Sequence, residues 1–279
     1  VEESEDIYDK DYEEEYAEDF EEEIDSYEEE AIDAVQKLFN DNKEKVYYGR
    51  QIEFLLENQF FHWVTNRALR VLADQKIISK KVNMMGWGGS IILYFHNSFR
   101  YYKREASKVI KIVEAYSADV VSFSVGQYGE LLILEGFAKF QFVLRGRNVN
   151  EFMGKKWIDS NHNLDMIIER DGIGYGIEIK NTLGYINKEE FEIKIELCRF
   201  LGLKPVFVAR MLPKNWMYVL IGQGGFGLLL KYQLFPPYLG TLAGQMENEL
   251  GLPVKSPKSL FDGTIKRFEN WHKKNVNSV

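Results

Sequence analysis

The chain has 279 residues, enough for two compact cores, and its 45% apolar and 14% aromatic content excludes the disordered, collagenous and disulfide-stapled classes. The single cysteine, Cys198, excludes an internal disulfide; lying in an apolar helical stretch, it reads as a small buried side chain rather than a nucleophile, and points to a reducing, cytoplasmic setting. The net charge of −8 averages two opposites, because residues 1–30 hold 18 Asp and Glu against one Lys, a formal −17, while the other 249 residues carry +9.

A basic body of that size suits a polyanionic partner. No run of residues is long and apolar enough to span a bilayer, and the first residues are acidic where a signal peptide would be basic and then apolar. Neither membrane insertion nor export by that route is expected.

Residues 1–30 have too few apolar side chains and too much like charge to offset their ordering entropy, which predicts disorder or a solvated helix. A solubilising tail is the plain reading; a sharper one has its carboxylates imitating phosphates on the basic surface of the same molecule. From residue 31 helical spacing begins with Ile32, Val35, Leu38 and Phe39, and stops at Asn40-Asp41-Asn42. A second apolar stretch holds Ile52, Phe54, Leu55 and Leu56, and a third repeats Val64, Ala68, Val71 and Leu72 at helical intervals. Two apolar runs follow, Ile77 to Val82 and Ser90 to Phe95, separated by the turn-forming Met84-Met85-Gly86-Trp87-Gly88-Gly89.

Three helices and a hairpin over residues 31–97 resemble a winged helix, whose third helix commonly enters the major groove while the wing touches backbone. That resemblance implies nucleic-acid contact by Thr65, Asn66, Arg67 and Arg70 on the third helix, with His62 beside them, and by Lys80 and Lys81 on the wing. Winged helices also dock proteins, so a solvated face remains the alternative. Residues 97–136 keep a helical pattern through Val109, Ile112, Val113 and Tyr116, with a break expected near Asp119.

Between 137 and 181 the pattern turns strand-like: FAKFQFVLR, then NLDMIIER, then GYGIEIKN after the turn Asp171-Gly172. Glu178 and Lys180, two residues apart on a strand, share a face, while Ile177 and Ile179 point into a core. Asp165 interrupts the apolar habit of its own segment, and a pairing that sets it beside Glu178 would place two carboxylates and an ammonium together. Adjacent carboxylates repel, and a divalent cation with hard oxygen ligands relieves the conflict.

Asp165, a spacing of 13 residues, then Glu178-Ile179-Lys180 resembles the PD-(D/E)XK, or restriction-endonuclease-like, nuclease superfamily, with Leu164 in place of the motif's proline. The resemblance implies an α/β core with a central mixed sheet flanked by helices. It further implies Asp165, Glu178 and the main-chain carbonyl of Ile179 as ligands of Mg²⁺ or Mn²⁺, Lys180 as the catalytic lysine, and a helix glutamate upstream, for which Glu130 is the choice over a surface-facing Glu135. The helix expected over Lys188 to Leu201 and the strand Lys204-Pro205-Val206-Phe207-Val208-Ala209-Arg210 fit the rest of that core. The competing reading is a cross-strand ion-pair ladder on a solvated sheet, where each pair contributes only about 0.2 to 1 kcal/mol.

Other signals carry less. Gly222-Gln223-Gly224-Gly225-Phe226-Gly227 satisfies G-x-G-x-x-G in letters, but WMYVLI before it and LLLKYQLFPPY after it read as strands joined by a glycine-rich hairpin. The histidines lack zinc-site spacing, and His162 reads as a loop residue. Arg145, Arg147, Lys155 and Lys156 flank the core strands as cleft-lining or merely exposed cations, and Phe261, Ile265, Phe268 and Trp271 mark a docking helix.

The expected organisation is an acidic disordered tail over 1–30, a winged-helix domain over 31–97, a connecting helix over 98–118 and a nuclease domain over 119–279. The expected function is metal-dependent hydrolysis of DNA phosphodiesters, with an inactive DNA-binding or scaffold protein of a repair or defence complex as the alternative. DNA is the expected partner; the acidic tail offers a docking segment for a protein, and a homodimer would suit double-strand cutting although no feature demands one.

Overall fold

The computed structural model describes residues 21–86, 88–184 and 186–276, so most of the acidic tail lies outside it. The chain divides into two compact units: one takes the chain up to Ser117 together with Gln245–Leu252, the other takes Ala118–Gly244 with Pro253–Val279. Among the described residues no helix is long and apolar enough to cross a membrane.

The first unit opens with α1 (Glu21–Asp41), whose Ala31, Val35 and Phe39 recur every four residues and are fully buried. Over residues 21–30 the acidic segment is thus helical, one of its two expected forms, and continuous with the helix expected from 31. The helix already runs through the end of the acidic segment, because Tyr27 packs against Phe60 and donates to Gln59 O at 2.8 Å, and Glu28 pairs with Arg67. A short strand β1 (Val46–Tyr48), not foreseen, leads into α2 (Gly49–Leu56) and α3 (His62–Asp74). The hairpin β2 (Ile78–Met84) and β3 (Ser90–His96) follows as expected, and β1 adds to β3 to give a sheet of order β1-β3-β2, with β2 at an open edge. One apolar cluster from all three helices and the sheet holds the unit together. α4 (Lys103–Tyr116) belongs to it too, and the chain breaks at Ser117-Ala118, close to the expected Asp119. Residues near Leu250 also return here, where Gln51 Nε2 donates to Leu250 O at 2.9 Å.

The second unit starts with α5 (Asp119–Lys139), then β4 (Val143–Val149), so Phe137-Ala138-Lys139 is helical and not the start of a strand. A small hairpin, β5 (Glu151–Phe152) and β6 (Lys155–Lys156), precedes β7 (Leu164–Arg170) and β8 (Ile173–Lys180). Then come α6 (Lys188–Leu201), β9 (Lys204–Ala209), α7 (Lys214–Gly222) and β10 (Phe226–Leu229). Five strands form a mixed sheet of order β10-β9-β8-β7-β4, with β8, β9 and β10 parallel and β7 antiparallel to its neighbours. An α/β fold with a central mixed sheet flanked by helices is therefore present.

Burial on both faces explains the sequence of β9: Val206 and Val208 join the cluster under α5, while Phe207 and Ala209 join the one under α6 and α7. The segment WMYVLI is helical, contrary to the strand expectation, since Trp216 and Leu220 lie one turn apart and bury the same face. The glycines after it therefore link a helix to a strand. After β11 (Gln233–Leu234), α8 (Gly240–Leu250) and β12 (Val254–Lys255), the last helix α9 (Asp262–Val276) docks Ile265, Phe268 and Trp271 on the sheet, leaving Phe261 exposed.

Candidate active site

The site grows out of the β7–β8 hairpin. Its two-residue turn, Asp171-Gly172, has both φ angles positive, at 52° and 73°, the geometry that matches strand twist. Met166 pairs with Ile177 and Ile167 with Gly176, so one further step of the same register sets Asp165 opposite Glu178. Tyr175, Ile177 and Ile179 enter the apolar cluster, which sends Glu178 and Lys180 to the other face, toward α6. Asp165 Oδ2 accepts a hydrogen bond from the Ile179 N–H at 2.6 Å, which fixes that carboxylate against the strand carrying Glu178.

Glu178 is 2% exposed and bound on both oxygens: Lys194 Nζ lies 2.6 Å from Oε2 and Lys180 Nζ 3.2 Å from Oε1. Lys180 also meets Glu190 Oε1 at 2.5 Å, and Lys194, itself buried, donates to the carbonyl of Asn163. Glu190 and Lys194 come from successive turns of α6, whose start is set by Asn187 capping the Glu190 N–H. The sequence reading missed both residues. The signal was there, because Lys194 falls on the apolar stripe Phe191, Ile195, Cys198 and Leu201, where an ammonium must have a buried partner.

With every group ionised, Asp165, Glu178 and Glu190 outnumber Lys180 and Lys194 by one negative charge. The imbalance falls on Asp165. Burial first, and then the charge of Glu178, push its carboxyl up to about 7 against the opposing Ile179 N–H and Lys194. Burial presses Lys180 toward its neutral form, but Glu178 and Glu190 outweigh it and hold the ammonium above its ordinary range. A cluster one charge short of neutrality takes up either a proton on Asp165 or a cation. Its carboxylates are hard oxygen donors of the kind that suit Mg²⁺ or Mn²⁺. Among the described residues no three His, Cys, Asp or Glu side chains converge as a ready-made metal cage, so water and substrate oxygens would complete the coordination.

Glu130 stands close enough for its charge to raise Asp165 further, but its own carboxylate is engaged by Arg147 at 2.9 Å. Its helix is held close to β8 at Gly129, where a Cβ would come within 2.7 Å of Asn181. Asn181 is buried, donates to Val125 O and Leu234 O, and accepts from the Leu234 N–H. Glu135 is exposed, as expected. Of the flanking cations, Arg145 pairs with Glu169, Lys156 with Glu151, and Lys155 donates to Phe200 O. His162 makes an ordinary loop contact to Ser160, and Cys198 is buried, which raises its thiol.

The nucleic-acid face expected on α3 is corrected in part. Thr65 is fully buried, because the helix buries Val64, Thr65, Ala68, Leu69 and Leu72, a stripe rotated from the one expected, and α1 packs on it. Arg67 is ion-paired with Glu28 at 2.5 Å and lies over the Trp63 ring. Asn66 is half-buried and Arg70 exposed, both with interactions inside the protein. Lys80 and Lys81 on β2 are exposed. Comparison of the chain with protein-family models, curated proteins and solved structures returns no match.

Proposed function

We propose that the second unit is a metal-dependent nuclease of the PD-(D/E)XK type, hydrolysing phosphodiester bonds with Mg²⁺ or Mn²⁺. The observation that carries this reading is the half-buried Asp165 beside the buried Glu178 on adjacent strands, in a cluster one charge short of neutrality, with the Lys180 ammonium 3.2 Å from Glu178. Asp165, Glu178 and the carbonyl of Ile179 would hold the ion, which when bound polarises the phosphodiester and makes water a better nucleophile. Lys180, kept protonated by its two glutamates, acts as a fixed positive charge for the transferring phosphoryl oxygens and not as a base. Lys194 positions Glu178 from behind. Glu130 would act through Arg147 and its field on Asp165.

One observation favours a second reading. Both oxygens of Glu178 already carry lysine partners, which is also how a closed structural ion cluster is built, and an inactive nucleic-acid-binding or scaffold protein follows from it. Incubating duplex, single-stranded and branched DNA, and RNA, with Mg²⁺, Mn²⁺ or chelator separates the two. Cutting that requires metal and vanishes in Asp165→Ala and Lys180→Ala supports the nuclease. Intact substrate in every lane with both metals supports the scaffold.

A further inference from the structure

The first unit carries a cationic track that the α3 expectation does not use. Between the end of α3, the edge strand β2 and the segment after β3 lies an open cleft of about 730 Å³, lined by Lys76, Lys80, Lys81 and Arg100 against one carboxylate, Asp74. A second hollow of about 270 Å³ shares Lys81 and Tyr102 with it and adds Lys103, so the two make one track along β2. Among the described residues none of these five cations is ion-paired with a carboxylate, in contrast to Arg67. Like charges crowded together with no ion pair among the described residues repel one another, and a polyanion relieves that repulsion.

Aromatic rings interleave with these charges in Phe99-Arg100-Tyr101-Tyr102-Lys103-Arg104. Phe99 and Tyr102 line the track, Tyr102 is stacked on Phe95 at 4.0 Å, and Tyr101 between the two lining residues is 85% exposed. Cations that follow a backbone, beside ring faces on which bases stack, are the features that hold single strands; a duplex keeps its bases stacked on each other and out of reach. On α3, two of the four residues expected to read a groove are already taken up, Thr65 by burial and Arg67 by its ion pair with Glu28. An acidic peptide would use the charges but not the rings.

We propose that this track binds single-stranded nucleic acid, with phosphates on Lys76, Lys80, Lys81, Arg100 and Lys103 and unstacked bases on Phe99 and Tyr102, which line it, and on the exposed Tyr101 next to them in sequence. On the nuclease reading the substrate is then a nucleic acid with a single-stranded part, whereas the binding site stands without that reading.

The test is fluorescence anisotropy of the full chain in EDTA with a labelled oligothymidylate and a duplex of equal length, across a salt series. Single-strand binding about tenfold tighter than duplex is expected, and Tyr101→Ala, an exposed position that leaves the fold intact, should weaken it about tenfold. Each phosphate contact on a single strand contributes about −0.7 to the slope of log K against log salt, so the Lys80→Ala/Lys81→Ala/Arg100→Ala variant should flatten it by about 2. Equal or tighter duplex binding overturns the proposal. So does single-strand affinity that survives the cleft variants and falls in Arg67→Ala/Arg70→Ala, or polyglutamate binding as tightly as the oligonucleotide. Because EDTA prevents cleavage, cleft-dependent binding without later cutting upholds this site and sinks the nuclease alone, and cutting without cleft-dependent binding does the reverse.

Discussion

Replacing Asp165 by Asn should make the metal-free protein more stable at alkaline pH, although it removes a residue of the proposed site. The folded state raises this carboxyl to about 7, while an unfolded chain leaves it near the ordinary 3.8. Between those values the folded protein binds more protons than the unfolded one, so stability is fully present below the lower value and falls as pH rises through the window. About three units at about 1.4 kcal/mol each set a ceiling of about 4 kcal/mol on the loss above neutrality. Asn keeps an oxygen to accept the Ile179 N–H and carries no charge, so Asp165→Asn should gain about 2 kcal/mol or more at about pH 8 in EDTA and almost nothing near pH 4. For a unit of this size that is a rise of roughly 4 to 8 °C in Tm, read by thermal melts at the two pH values. A variant less stable than wild type at pH 8, or a difference independent of pH, would refute the charge imbalance.

The remaining expectations concern the groups around that pair. Lys194→Met should cost about 3 kcal/mol in denaturant melts, because it strands Glu178 in the interior with one of its two ammonium partners gone; adding Glu178→Gln should recover part of that loss, and additive losses in the double-mutant cycle would show that the pair is not coupled. Gly129→Ala should destabilise by about 2 kcal/mol, since its Cβ meets Asn181 at 2.7 Å, whereas Gly126→Ala on the same helix meets nothing within 4 Å and should gain about 0.5 to 1 kcal/mol from helix propensity. Equal effects from the two substitutions would contradict the close approach of α5 to Asn181.

The hairpin that carries Asp165, Glu178 and Lys180 was legible because three local rules agreed: the Asp171-Gly172 turn, strand alternation, and apolar neighbours around three charges. α6 was legible from a stripe of buried residues with a cap at one end and a glycine at φ 75° at the other, and β9 from its short apolar run beyond that glycine. What was not legible depends on which distant surface covers an element. The buried stripe of α3 is chosen by α1, so Thr65, polar and at a plausible exposed phase, went the wrong way. WMYVLI is apolar enough for either period, and only packing of Trp216 and Leu220 selects the helix. The start of α1 within a run of glutamates was masked by composition, although Tyr27 sits one turn before Ala31 and marks the beginning of its apolar face. Glu190 and Lys194 could have been found by asking why a lysine stands on an apolar stripe.

Direct titration of Mn²⁺ into the chelator-treated protein, by calorimetry or by the ion's magnetic resonance signal, tests whether Asp165 and Glu178 together form a divalent-cation site. One ion per chain is expected, with binding abolished in Asp165→Asn and kept in Glu130→Gln. Absence of binding in the wild type at millimolar Mn²⁺, or binding that Asp165→Asn leaves unchanged, would contradict such a site.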